Sequence, residues 1–319
     1  MEKNKTKFNK PNAPKPIAIT DRDKAMLAKI ADYRILTTDQ VYRMCFPSLS
    51  RARKRLLQLW QHGYLKRIIR PIRLGEGSSM YLYLLSKRAL RLISCDSAVA
   101  SKNNRASTFY TNHALDINNF RICLELETRN SSDISLISWK QSKELLMTAS
   151  IKEKGSIKQI PIIPDAYFAL KQSDRVFHYL LEMDRGTTDL KRIALKCRGY
   201  LNIWNDKIAH AKFGIRSFRL LYVTVSDKRL ANMLEQLRKL KSHHHRLDLI
   251  LMTAANRFSL AKPSRLFEPI WNFLDTEGNT RQIGLLPNTS LQSSRQREEN
   301  HHCAVQNPIP VNGNPGPGG

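Results

Sequence analysis

The sequence predicts an α/β protein (α+β overall) built in two parts, on three observations. The first third of the chain has helical periodicity in three short segments, followed by a basic pair of strands. After a polar stretch, helical and strand-like segments alternate, which is typical of a mixed sheet with helices on both faces. The chain also has 319 residues, 41% of them hydrophobic, which is enough for two hydrophobic cores.

The charge of the chain predicts an anionic partner. Lysine and arginine number 53 against 27 acidic residues, a formal net charge of +26, and such proteins most often bind nucleic acid or an anionic surface. The absence of long apolar runs and the polar, Lys-rich N-terminus predict a cytoplasmic protein. The five cysteines form no C-x-x-C pair, so reduced thiols are expected. The sequence contains no glycine-rich phosphate-binding loop, so we expect neither ATP nor NAD as a ligand.

The N-terminal part begins with a basic arm, residues 1–16, which we predict to be disordered and either to lie on nucleic acid or only to aid solubility. Thr20 has the sequence context of an N-cap, and a helix is predicted after it. A second helix is predicted from Thr38 and a third from about Ser50 to Gln61, where Gly63 provides a C-terminal stop. Two strands, 64–73 and 80–85, follow around a glycine-containing turn.

Three helices followed by a basic hairpin is the order of a winged helix-turn-helix, whose third helix enters the major groove of DNA. We therefore predict a DNA-binding domain over residues 17–94. Alternatively, the cations of the third helix only face solvent, or the domain binds protein. Cations near the start of a helix are unfavourable with respect to its macrodipole, which favours a functional explanation for them. The candidate DNA contacts are Ser50, Arg51, Arg53, Lys54 and Arg55 on the third helix, and Lys66, Arg67, Arg70 and Arg73 on the wing.

The second part is predicted to span residues 109–286, after a polar linker over 95–108. A long helix is expected from about Thr111 to Arg129, followed by three strands, a helix, a strand, a helix and a strand. Residues 287–319 are rich in Ser, Asn, Gln, Pro and Gly and are predicted to be a disordered tail.

Two of these strands, 164–170 and 179–186, are predicted to form a hairpin around Gln172–Asp174. Pairing them brings Asp165 near Glu182 and Asp184, which share a face if Asp184 is extended. Three carboxylates at one end of a sheet are costly without a cation, so one interpretation is a divalent metal ion bound by Asp165, Glu182 and Asp184. The other is that Asp184 caps a turn and Glu182 pairs with an arginine.

Several other histidine, cysteine and tyrosine residues are predicted to take no part in catalysis or metal binding. His243–His245 lies between a helix and a strand without the partners of a metal site, and a solvated loop is expected. His301, His302 and Cys303 fall in the tail. Tyr200 is expected to pack or to orient the helix carrying Lys196 rather than to attack DNA.

The element order resembles the PD-(D/E)xK nuclease core, with Pro164-Asp165 as its first motif and Glu182-Met183-Asp184 as its second, where Asp184 replaces the usual lysine. The chain more specifically resembles the replication-relaxation family of plasmid and mobile-element proteins, which is related to MobC-type relaxases. The matching features are the winged helix, His113-x-Leu115, Trp139 followed by Glu144, Pro164–Ala166, Glu182-x-Asp184-Arg185-Gly186-Thr187, Lys196-x-x-x-Tyr200 and Pro269–Trp271.

This resemblance implies a restriction-endonuclease-like fold for residues 109–286 and an action on duplex DNA in plasmid or element replication, relaxation or mobilisation. It implies Mg²⁺ or Mn²⁺ on Asp165 and Glu182, with Asp184 as a third ligand and Lys196 as the cation missing from the strand. Glu125 or Glu127 would be the acid that some nuclease cores carry on their first helix. Such a protein is either a metal-dependent nicking endonuclease or a non-catalytic DNA-binding regulator with a degenerate core; an RNA-binding or structural role is a third, weaker option. A second copy of the chain, or other replication and mobilisation proteins, would be further partners.

Overall fold

The computed structural model describes residues 14–70, 80–93, 108–153, 155–240 and 246–287. Its contacts divide the chain into two compact units, Met1–Ile122 (unit 1) and Cys123–Gly319 (unit 2). Unit 2 contains a seven-stranded mixed sheet, and the predicted α/β class is confirmed. Most of the predicted arm and linker, the two histidine-containing segments and all but the first residue of the tail lie outside the described residues.

Unit 1 begins with three helices that match the predicted ones: α1 (Asp21–Tyr33), α2 (Thr38–Cys45) and α3 (Leu49–Gln61). Each helix is preceded by an N-cap residue whose side chain accepts a hydrogen bond from a backbone N–H of the first turn: Thr20, Thr37 and Ser48. Thr20 and Thr37 form full capping boxes, because the side chain three residues later bonds back to their own N–H.

The predicted basic hairpin is present as β2 (Leu65–Arg70) and β3 (Met80–Leu85), which pair antiparallel. A two-residue strand, β1 (Leu36–Thr37), pairs with the other edge of β3. A short helix, α4 (Lys87–Leu92), follows the sheet. Residues 71–79, which connect β2 to β3 and include Arg73, lie outside the described residues.

Helix α5 (Thr108–Asn130) is the predicted long helix, and the boundary between the two units falls within it. Its N-terminal half is fixed within unit 1 by buried amides. Asn118 Nδ2 donates to the carbonyls of Tyr33 and Ile35, at 3.2 and 2.7 Å. Gln40 Nε2 donates to Leu115 O at 3.3 Å and to Asn119 Oδ1 at 2.7 Å. These bonds satisfy polar groups that would otherwise be costly to bury.

The sheet of unit 2 has the strand order β12-β11-β10-β9-β8-β7-β4. Its strands are β4 (Ile134–Lys140), β7 (Ala166–Gln172), β8 (Arg175–Met183), β9 (Arg219–Thr224), β10 (Ile250–Ala254), β11 (Trp271–Leu274) and β12 (Thr280–Ile283). The remaining helices are α6 (Leu190–Asn205), α7 (Ile208–Phe213) and α8 (Asp227–Arg238). Strands β8, β9 and β10 are mutually parallel, and the other neighbouring strands pair antiparallel.

Helices α6 and α8 pack on the same face of this sheet. They share one core with strand residues such as Leu180, Leu220 and Met252. Two successive right-handed crossovers that advance in the same direction place both helices on one side, which explains the arrangement. The sequence predicted helices on both faces; for this pair the structure places both on one.

The segment between β4 and β7 forms a hairpin in addition to the predicted strands. Strands β5 (Met147–Glu153) and β6 (Ser156–Ile162) make a separate two-stranded sheet. Helix α6 lies directly on this hairpin at Gly199, where a β-carbon would stand 2.3 Å from Ile162 Cδ1. Asn202 Nδ2 donates to Ser150 O at 2.6 Å and fixes the contact.

Candidate functional site

The site is organised by the hairpin of β7 and β8. Its turn is Ser173-Asp174, within the predicted segment, and Ala166 pairs with Leu181 across the two strands. Asp165 N donates to Leu181 O at 2.9 Å, and Met183 N donates to Asp165 Oδ2 at 2.8 Å. This register brings Asp165 beside Glu182 at the end of the sheet, as the sequence predicted.

Glu182 is the buried centre of the site, with a side chain only 6% exposed. Lys196 Nζ lies 2.6 Å from Glu182 Oε2, and the Tyr200 hydroxyl donates to Oε1. Lys196 and Tyr200 are one helical turn apart on α6, so a single helix face supplies both partners. The structure thus brings Lys196 to the carboxylate of the Glu-x-Asp sequence, the position that the resemblance implied.

The pKa of Glu182 is raised to about 7, mainly by burial and also by the charge of Asp165, although the ammonium of Lys196 opposes both effects. The pKa of the Tyr200 hydroxyl is raised well above its ordinary value, first by burial and then by the charge of Glu182. Tyr200 therefore keeps its proton and acts as a donor to Glu182. These shifts give the site a carboxyl group that titrates near neutral pH.

Asp184 lies on the same sheet face but has different partners. Arg229 of α8 donates to it through Nε at 2.5 Å and Nη2 at 3.0 Å. Thr224 Oγ1 donates at 2.6 Å and Gly186 N at 3.2 Å. Both carboxylate oxygens are therefore engaged within the protein, and the side chain is only 2% exposed.

The same arginine also fixes the loop between β8 and α6. Arg229 Nη2 donates to Thr188 O at 2.5 Å. Gly186 has a φ of +79°, and a β-carbon there would lie 3.3 Å from Val225 Cγ2 and 3.7 Å from Arg229 Cδ. A side chain is disfavoured at this position by both conformation and space. The Asp184–Thr188 segment is thus held at the start of α6, the helix that carries Lys196.

Asp184 has both oxygens occupied by protein donors, and Glu182 would have to release Lys196 or Tyr200 to hold a divalent cation together with Asp165. Mg²⁺ is usually bound through one or two carboxylates, with water and substrate phosphate completing its shell. Among the described residues, no group of three or more His, Cys, Asp or Glu side chains is arranged to hold a metal ion. Glu125 and Glu127, both half-buried on α5, accordingly form no such group with Asp165 and Glu182.

The predicted nucleic-acid contacts on α3 have two kinds of surroundings. Ser50, Arg51, Arg53 and Lys54 are exposed, and these three cations form no salt bridge with any residue that the structure describes. Arg55 is instead directed inward. It donates to both oxygens of Asp23, at 2.8 and 2.5 Å, and the Asp23 side chain is fully buried.

The predicted wing contacts are likewise divided. Lys66 is exposed on β2. The Arg67 guanidinium lies over the Trp60 ring, 3.6 Å from its centroid, and over Tyr81 at 4.4 Å. Such stacking holds the cation in place without neutralising it. Arg70 is the last residue of β2, and only its backbone is described. The Arg70 side chain and the whole of Arg73 lie outside the described part of the chain.

Arg229 and Thr224, the two partners of Asp184, were not predicted from the sequence. Arg229 follows Asp184 by 45 positions, and nothing in the local pattern of α8 distinguishes it from a surface arginine. The only available signal was Asp184 itself, one of three carboxylates at the end of a sheet, where a cation is needed nearby.

The fold and the site define a two-part α/β protein: one unit has helices around a three-stranded sheet, and the other has a mixed sheet with an Asp–Glu–Lys cluster at one end. A model of the replication-relaxation family matches residues 27–216, which is more than half of the chain. The protein therefore belongs to the replication-relaxation family, and its membership indicates a role in replication or mobilisation. No curated protein and no solved structure matched the chain. None of the described helices is long and apolar enough to cross a membrane.

Proposed function

We propose that this protein binds double-stranded DNA of a plasmid or mobile element through unit 1 and nicks it at a metal-dependent site in unit 2. The observation that carries the proposal is the contact of Lys196 Nζ with Glu182 Oε2, 2.6 Å, beside Asp165. An acid pair with a neighbouring lysine is the residue set of the PD-(D/E)xK core. Here the lysine comes from α6 instead of the strand.

In unit 1, the support is a winged helix-turn-helix order whose third helix carries cations with no salt bridge to any described residue. Arg51, Arg53 and Lys54 are exposed near the start of α3, which has no acidic residue in its first turn. Cations there are unfavourable with respect to the helix macrodipole, whereas they suit a helix whose N-terminal residues meet DNA. Lys66 and the stacked Arg67 would contact phosphates from the wing.

In unit 2, Asp165 and Glu182 would hold Mg²⁺ or Mn²⁺. A bound metal of this kind polarises a phosphate oxygen or activates water. Lys196 is placed to stabilise negative charge at the same point, while Tyr200 keeps Glu182 in position through its hydroxyl. Asp184 is left out of this set, because Arg229 and Thr224 occupy its oxygens.

A second function is favoured by one specific observation. Glu182 is nearly inaccessible and both its oxygens already have partners, Lys196 and Tyr200, so the cluster also suits a core that is only structural. The protein would then be a non-catalytic DNA-binding replication-initiation or transcriptional regulator.

Nicking of supercoiled plasmid separates the two functions. The wild type, Asp165→Asn and a control, Asp248→Asn, are incubated with plasmid carrying the cognate origin and Mg²⁺ or Mn²⁺. Asp248 is a suitable control because it is a half-exposed carboxylate of unit 2 that pairs only with Arg246 among the described salt bridges. Open-circle product from the wild type and Asp248→Asn, but not from Asp165→Asn, supports the nuclease. No product from any of them, with DNA binding intact, supports the regulator.

A further inference from the structure

Helix α6 has a strongly one-sided charge. It carries four cations, Lys191, Arg192, Lys196 and Arg198, and no acidic residue between Leu190 and Asn205. Lys196 is paired with Glu182, and Arg198 donates to Lys152 O in the β5–β6 hairpin. Lys191 and Arg192 are exposed, and neither forms a salt bridge within the part of the chain that the structure describes. Two positive charges on this helix are therefore uncompensated.

The helical repeat separates these two exposed cations. Arg192 lies four residues before Lys196, so their side chains are neighbours with β-carbons about 5–6 Å apart. Lys191 is displaced by about 100° around the helix and instead lies in line with Arg198, seven residues later, which contacts the hairpin. Asp189, the N-cap, accepts from Lys191 N at 2.8 Å and forms no salt bridge with Arg192. Of these two exposed cations of α6, Arg192 is thus the one on the side of the helix that carries Lys196.

Until a metal binds, a phosphate that approaches this site meets the carboxyl groups of Asp165 and Glu182 and the ammonium of Lys196. The charge of Lys196 is largely balanced by Glu182, and Asp165 adds a further negative charge. Carboxylates repel an approaching phosphate, and this repulsion is stronger in a partly buried site than in bulk water. An exposed guanidinium is suited to offset it, because its planar donors bind phosphate bidentately.

We propose that Arg192 binds a phosphate of the DNA strand that reaches the Asp165–Glu182 pair, so that α6 gives unit 2 a DNA contact of its own. Arg192 is a positioning residue in this scheme and takes no part in the chemistry. The inference rests on the proposed function, since it takes DNA as the ligand, but it does not require that the strand be cut.

The test compares two neighbouring cations on one helix. The full-length wild type, Arg192→Ala, Arg192→Lys and the matched control Lys191→Ala are titrated into a fluorescein-labelled duplex of arbitrary sequence and into its single strand, over a series of KCl concentrations. Arg192→Ala is expected to lower the slope of log affinity against log salt by about 0.9 on duplex or about 0.7 on single strand. Arg192→Lys and Lys191→Ala should keep the wild-type slope.

The inference is overturned if Arg192→Ala keeps the wild-type slope on both probes, or if Lys191→Ala lowers it equally. Wild type that binds neither probe would instead refute the proposed function as a whole. Because the readout is binding, a protein that binds DNA but does not nick it still tests Arg192. The probe on which the slope changes identifies the strand form that α6 contacts.

Discussion

Asp184 is predicted to be a structural anchor, and its removal should be among the most destabilising single changes in unit 2. Asp184→Ala leaves Arg229 buried to more than four-fifths of its side chain, and also leaves the hydroxyl of Thr224 and the N–H of Gly186 without their acceptor. Removing one member of a buried, hydrogen-bonded ion pair costs roughly 3–5 kcal/mol. The double variant Asp184→Ala/Arg229→Ala should cost less than the sum of the two single changes, because the second change removes the unpaired charge.

Urea unfolding followed by tryptophan fluorescence measures this cost, since three of the four tryptophans lie in unit 2. The matched control is Asp227→Ala, which removes an exposed ion pair with Arg257 at the start of the same helix, α8. That change should cost no more than about 1 kcal/mol. The reasoning is refuted if Asp184→Ala costs no more than the control. A gain in stability from Asp184→Asn, combined with loss of Mn²⁺ binding, would show that Asp184 is a metal ligand after all.

Three further predictions concern pH and charge. Burial lowers the pKa of His178 to about 4 from its ordinary 6.5, so neutral His178 stabilises the folded state fully above pH 6.5 and this stabilisation is lost as the pH falls. In urea unfolding, the wild type should therefore lose roughly 3 kcal/mol more unfolding free energy than His178→Gln between pH 7 and pH 4. For Glu182 the pH dependence is reversed: its raised pKa stabilises the folded state fully below pH 4.5, and this stabilisation is lost as the pH rises through about 7. Between pH 5 and pH 8 the wild type should lose roughly 2–3 kcal/mol of unfolding free energy in the same assay, and Glu182→Gln should not show this loss. Arg53→Ala should weaken DNA binding in anisotropy titrations without changing the melting temperature. Arg55→Ala should lower the melting temperature, because it leaves the buried carboxylate of Asp23 without its arginine. Equal melting temperatures for the two variants would contradict the assigned partners.

The parts of the fold that local patterns govern could be predicted from the sequence. The hairpin of β7 and β8 follows from two apolar runs around a short polar turn, and its register places Asp165 beside Glu182. The three helices of unit 1 were predicted because their N-caps and apolar faces are local features. Lys196 was predicted to supply a cation, and the structure places it on Glu182.

Features that depend on distant partners could not be predicted. Arg55 looks like a DNA contact in sequence, because its pairing with Asp23 depends on how α1 packs against α3, 32 residues apart. Asp184 looks like a metal ligand for the same reason, since Arg229 reaches it only after α8 has packed on the sheet. The β5–β6 hairpin gives only a weak strand signal in the sequence, because most of β6 is exposed and lacks a buried alternating face.

The contact of α6 with the β5–β6 hairpin has a consequence for how this site can vary between sequences. Strand β6 ends three residues before Asp165, while α6 carries Lys196 and Tyr200, so the two sides of the cluster meet at Gly199. A β-carbon at position 199 would have to displace the end of the buried Ile162 side chain, on the strand that leads to Asp165. This contact therefore disfavours any side chain at position 199, although that position takes no part in the chemistry.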